Sequence, residues 1–307
     1  MRHPLFIGLI CFCLLLIWSE TSLAITLQPG GAIRGTEKVS DQDRQLIRKL
    51  GPEARSALDA GDYDLAFSKA KKITELAPEV YQYQFFLGNA GFAAGKMEES
   101  VKAYDAVIRL DPTSEPQLWQ RGLALYYAKR FADGVKQFET HQTVNSQDVE
   151  NAVWHLLCAA RISDVEKARK KLIPITGDSR VPMSQVYEMF AGRMTPEKVL
   201  EAAQKTSTFV KQDDSRHRLQ QYYAHLYIGL YHEMLNQHEL AVASLNQAKQ
   251  VNPLPKSNFM GQVADVHLRL RAAEAKQKKN DANKPNAKQP GAKKNATSQP
   301  DKNKSGY

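Results

Sequence analysis

Cysteine is nearly missing from this 307-residue chain: there are three, and Cys11 and Cys13 fall inside an apolar run at the N-terminus. Only Cys158 lies beyond that run, so no internal disulfide can form in the rest of the chain and a hydrophobic core has to supply the stability. Long apolar runs are scarce too. Leu5 to Trp18 is the longest, and it is short of the roughly 20 residues that a membrane-spanning helix needs. With Arg2 and His3 before it and Ser22-Leu23-Ala24 after it, the run reads as a secretory signal peptide cleaved after Ala24. Ile10 and Phe12 precede the two early cysteines, where lipidation requires a small side chain. The mature chain is therefore expected to be exported, periplasmic or extracellular, without a lipid anchor. Sustained apolar–polar alternation with β-branched residues is also absent, which excludes a sheet. No glycine-rich phosphate loop, no G-x-S-x-G and no recognisable pair of carboxylates occurs, so no catalytic residue and no cofactor are expected.

Charge is present but unevenly spread. The net charge is +9, yet ten basic and three acidic residues lie between Arg271 and Tyr307, so that segment carries most of the excess. It has almost no large apolar residue to bury, and residues 276–307 are expected to be disordered. A polycation of this kind can sit on anionic glycan or lipid headgroups. The remaining body is close to neutral, which argues against specific nucleic-acid binding.

What the body does have is a period of 34. Gly61 recurs as Gly95, Ala66 as Ser100 and Gly134, Ala70 as Tyr104 and Phe138, Pro78 as Pro112, and Ala54 as Gly88 and Gly122. In a pair of antiparallel helices, Gly88, Gly122 and later Gly229 let the second helix approach the first. Gly61 and Gly95 allow the tight turn, Tyr104 and Phe138 fill space under the next repeat, and the prolines stop the second helix. These are the signature places of the tetratricopeptide repeat, and Tyr83 to Pro112 resembles it closely. A further unit runs from His225 to Pro253, with Gly229, Ala241, Leu245, Ala248 and Pro253 in the same relative places.

The fold class expected is therefore all-α, a right-handed helix-turn-helix solenoid with a C-terminal capping helix. Residues 25–39 read as a linker and 40–271 as the solenoid, with regular repeats at about 47–146 and 222–253 and degenerate helices at 147–215. There Ser163 with Glu166 suggests a capping box, and Thr195-Pro196 a helix start. The capping helix, 257–275, places Phe259, Val263, Val266 and Leu270 on one face.

From Leu118 onward the likeness is more particular. Gln120 to Tyr127, Phe190-Ala191-Gly192 and Tyr227 to Tyr231 together resemble the NlpI-type envelope TPR proteins of bacteria, over roughly residues 80 to 270. That resemblance implies a non-catalytic adaptor that tends to homodimerise and brings envelope proteases and cell-wall hydrolases together. The leader cysteines and the basic tail depart from the family pattern.

Two constellations evoke chemistry. His232-Glu233 with His238 suggests a zinc peptidase, but six residues turn the second histidine about 240° away, and His238 falls at an inter-helix turn. Cys158 three residues after His155 reads as a buried thiol beside Trp154 and Leu157. Neither is expected to hold a metal or act as a nucleophile. Partner proteins are expected instead to meet the concave wall made by the first helix of each pair. The lining assigned to it is Phe85, Asn89, Phe92, Trp119, Leu123, Tyr126, Tyr127, Tyr223 and Leu226, with Glu233 beside them, a surface suited to extended or apolar protein segments.

Overall fold

A computed structural model describes residues 35, 38–205 and 215–282; the signal peptide, nearly all of the linker and the last part of the basic tail lie outside the described residues. Those described form thirteen α-helices and one 3-10 turn, with no strand. Four hairpins make the frame: α1 (Asp41–Ala60) with α2 (Tyr63–Leu76), α3 (Tyr81–Ala93) with α4 (Met97–Leu110), α5 (Trp119–Tyr127) with α6 (Phe131–Gln142), and α11 (Ser215–Met234) with α12 (His238–Val251). Between the third and fourth come α7 (Val149–Ile162), α8 (Val165–Arg169), α9 (Met183–Phe190) and α10 (Pro196–Gln204), and α13 (Phe259–Ala282) ends the array.

The helices start and stop for local reasons. Ser40 caps α1 by accepting from the Asp43 amide, and Asp62 caps α2 by accepting from the Leu65 amide. At α8 the cap is Asp164, whose carboxylate accepts from the Lys167 amide at 2.8 Å, one residue later than the expected Ser163. The Ser163 hydroxyl is turned back onto the Ala159 carbonyl that ends α7. The inter-helix turns repeat one backbone state: φ is 82° at Gly61, 75° at Gly95, 61° at Lys129 and 59° at Asn236. The 34-residue period thus persists in the backbone at Lys129 after the glycine has gone from the sequence, at the cost of a left-handed conformation that only glycine adopts freely.

Inside three of the four hairpins a large side chain lies on a glycine sixteen positions earlier; in α1–α2 the pair is Ala54 and Ala70. A Cβ on Gly88 would come within 2.7 Å of the Tyr104 ring, on Gly122 within 2.5 Å of the Phe138 ring, and on Gly229 within 2.6 Å of Leu245. Tyr104 and Phe138 each cover the glycine of their own first helix, because the ring needs the gap that the missing side chain leaves, and both belong to the large core cluster shared with the following helices. The core forms a smaller cluster spanning Val39 to Ala93 and a larger one from Phe92 to Val266 that holds Tyr104, Phe138, Trp154, Phe190, Tyr222 and Tyr227.

Helix α13 packs on α12, where Lys249 pairs with Asp265 at 2.5 Å, so it covers the last hairpin as a cap should. It also reaches further. The same helix lies against α3, and it continues to Ala282, past the expected end at residue 275.

Candidate partner-binding site

The first helices of the hairpins, α3, α5 and α11, form the inner wall, and α13 lies across it. Phe259 stacks on Phe92 at 4.2 Å between ring centroids and meets Trp119 edge-on at 5.3 Å. The Tyr222 hydroxyl donates to the Met260 carbonyl. Arg269 donates to the Ala93 carbonyl at 2.5 Å, and Glu274 pairs with Lys129 at 2.9 Å. Four residues assigned to the lining, Phe92, Leu123, Tyr126 and Leu226, are buried, at 0%, 1%, 2% and 0% exposure. Their burial corrects the reading of them as an exposed surface: apolar side chains of the wall lose water-exposed area by packing within the fold, Phe92 on Phe259 of α13 and Tyr126 on Phe131 and Trp154. Phe85, Asn89, Trp119, Tyr127 and Tyr223 stay half-buried. Asn89 accepts from the Tyr104 hydroxyl at 2.6 Å, so its carbonyl oxygen is already engaged.

Glu233 is fixed under α13. Its carboxylate meets Arg271 at 2.7 Å, His238 at 3.3 Å and His267 at 3.8 Å, and His267 in turn meets the Tyr127 hydroxyl at 3.2 Å. Burial alone would raise the Glu233 pKa, but the His267 hydrogen bond and the Arg271 charge outweigh it and hold the carboxyl down at about 2. Burial also depresses the His267 imidazole below its ordinary value. Among the described residues, no group of three or more His, Cys, Asp or Glu is placed to hold a metal. Cys158 is buried with its sulfur 2.7 Å from where a Cβ on Gly134 would stand, and burial pushes its thiol far above the usual range. His155 faces Glu139 at 3.5 Å.

One part of the inner wall is left uncovered. A cleft of about 80 Å³ opens between α5, α6, α7, α11 and the start of α13. Trp119, Leu123, Tyr223, Phe138 and Met260 supply its apolar walls, and Trp154 and Asn151 come to it from α7. Three residues of the assigned lining, Trp119, Leu123 and Tyr223, are thus brought together here. The rim is polar: Arg180 binds Glu150, Asp148 and Asp178, each at 2.6 Å. Tyr227 donates to Glu150 at 2.6 Å, and the Val149 amide donates to Asp178 at 3.1 Å. Burial raises the Glu150 pKa, only partly opposed by Arg180. Burial would raise Asp178 as well, but Arg180 and two backbone amides bring it below its ordinary value. Sequence reasoning missed Asp148, Glu150, Asn151, Trp154 and Arg180 as cleft residues. Trp154 was seen only as the neighbour of a buried thiol.

Residues 52–115 match the tetratricopeptide repeat family model. Among solved structures, the chain is similar to MamA from residue 41 to its end from Desulfovibrio magneticus RS-1, with 14% identity, 69% of this chain and 96% of that chain covered, and a TM-score of 0.40. A second MamA structure matches at 14% identity over 69% of this chain and 93% of that one, with a TM-score of 0.38. The period of 34, the repeated left-handed turns and the family match agree: residues 52–115 carry tetratricopeptide repeats, and α5–α6 and α11–α12 are hairpins of the same build.

Proposed function

We propose that this protein is an exported scaffold that binds partner proteins through the uncovered stretch of its inner wall. The observation that carries the reading is the Trp119–Trp154–Tyr223 cleft, at whose edge Phe259 of α13 meets Trp119. Aromatic walls with a polar rim are the usual make-up of a protein-binding hot spot, because large rigid side chains lose little rotamer freedom on contact. Export is supported by the N-terminal leader, and the likeness to NlpI-type adaptors supports envelope proteases or cell-wall hydrolases as the class of partner. The basic C-terminal tail would then add contacts to anionic polymers without choosing the partner.

Affinity capture from the native envelope tests this. Wild-type protein and a form lacking residues 283–307 are expected to retain the same partner, and Trp119→Ala to lose it. Equal capture by Trp119→Ala would show that partners bind elsewhere; loss of capture on removing the tail alone would favour a surface tether.

A further inference from the structure

A second hollow lies on the first two hairpins, away from the Trp119 cleft and larger, at about 160 Å³. Ile47 of α1, Ile73 of α2, and Tyr83 and Phe86 of α3 wall it. Gly51 and Pro52 line it too, the two residue types least suited to a helix interior, and α1 carries both in mid-course. A proline there costs about 3 kcal/mol and offers no N–H to the Arg48 carbonyl one turn back. Neither residue has a long side chain and Pro52 is exposed, so the hollow reaches the surface on that side. A space of this size takes one aromatic ring. The chain's own α13 and its leading segment meet these hairpins elsewhere, at Ala60, Tyr63 and Ala93.

Charge along this opening has one sign. Arg55 lines the hollow with its guanidinium over the Phe86 ring, 5.2 Å from the centroid, and it makes no ion pair among the described residues. At 3.6 residues per turn, Arg44, Arg48, Gly51 and Arg55 fall within about 60° of one another on α1. The one acid between Arg44 and Arg55 is Glu53, which lies on the opposite side of the helix and is held by Lys69 at 2.5 Å. Arg44 meets Asp41 at 3.7 Å, a carboxylate almost wholly in water. An arginine can keep its face on a ring while its edge donates to a carboxylate.

We infer that this hollow is a second docking site, specific for an acidic segment of a partner protein. One phenylalanine or leucine of the segment enters between Ile47 and Phe86, and neighbouring glutamates or aspartates accept from Arg55 and Arg48. A basic segment is repelled by the same stripe. The inference goes beyond the Trp119 cleft and does not depend on it: the two hollows lie on different hairpins, so either can fail alone.

Fluorescence anisotropy on the purified chain tests it, with labelled decapeptides amidated at the C-terminus. One carries a central phenylalanine between glutamates, one has lysines in place of the glutamates, and one has alanine in place of the phenylalanine. The first is expected to bind saturably and each of the others about ten-fold more weakly. Arg55→Gln should weaken the first peptide about ten-fold, and Ile47→Phe, which fills the hollow, further still, whereas Trp119→Ala should leave it unchanged. Should Ile47→Phe fail to fold, Arg55→Gln, at a half-buried position, and the peptide series still decide. No saturable binding, or binding that ignores both the peptide charge and Arg55→Gln, would overturn the site. Binding of decanoate through Arg55 where the peptide does not bind would overturn it in favour of a small amphiphile. A negative result beside Trp119-dependent capture leaves the scaffold reading standing, and the converse pair of results removes that reading alone.

Discussion

The two polar clusters of the inner wall are mirror images. Under α13 one carboxylate, Glu233, is met by a guanidinium and two imidazoles; at the open cleft one guanidinium, Arg180, is met by three carboxylates. Both bury their carboxylates, with Glu233 at 4%, Asp178 at 4%, Asp148 at 13% and Glu150 at 15% exposure, and they differ in the guanidinium, Arg271 at 23% and Arg180 at 41%. A buried charge that loses its partner has no water to turn to, whereas a half-exposed one is screened.

The sharpest way to break the comparison is Arg271→Ala, which leaves Glu233 buried without its guanidinium. A loss of about 3–5 kcal/mol is expected in urea unfolding, with hydrogen exchange fastest in α13. Acid should act on the same cluster almost as strongly. The folded-state pKa of Glu233, about 2, lies below its ordinary 4.5, so its contribution is full above pH 4.5 and is lost as pH falls toward 2, by about 3 kcal/mol. His267, depressed by burial, pushes in the same direction below its ordinary 6.5. Glu233→Gln should flatten the acid limb of a stability–pH profile. The Arg180 cluster should respond comparably: Arg180→Met leaves three carboxylates of 13%, 15% and 4% exposure without their guanidinium, so a loss of about 3–5 kcal/mol is expected, and Glu150→Gln in the same chain should recover part of that in thermal melts. The smallest effect is expected from His238→Ala, under about 0.5 kcal/mol, since that imidazole is 67% exposed. An Arg180 variant that costs under about 1 kcal/mol would show that water reaches the three carboxylates once the half-exposed guanidinium is gone.

The hairpins were legible because their determinants recur. A small residue at position 88, 122 or 229 and a bulky one sixteen later are visible in one dimension, and the structure places the later side chain on the glycine each time. The left-handed turn at Lys129 shows the limit of that signal, since the backbone kept the period where the residue type did not. Helix α13 was legible as amphipathic, from Phe259, Val263, Val266 and Leu270. Periodicity states that a face is buried and not against what, so the filling of the inner wall could not be read. The rim of the cleft was invisible for another reason. Asp148 and Glu150 lie about thirty residues from Asp178 and Arg180, across a stretch with no repeat, so nothing local marked them as neighbours.

Finally, the link between the segment leading into α13 and the front of the array bears on how the chain comes apart. The Tyr63 hydroxyl donates to the Lys256 carbonyl at 3.1 Å, and the Lys256 ammonium donates to the Ala60 carbonyl at 3.0 Å, joining residues almost two hundred positions apart. Open arrays of repeats fray from their ends, unit by unit. Here the leading hairpin and the trailing helix clasp one another, so neither terminus is a free end from which unzipping can start, and melting of the two should coincide.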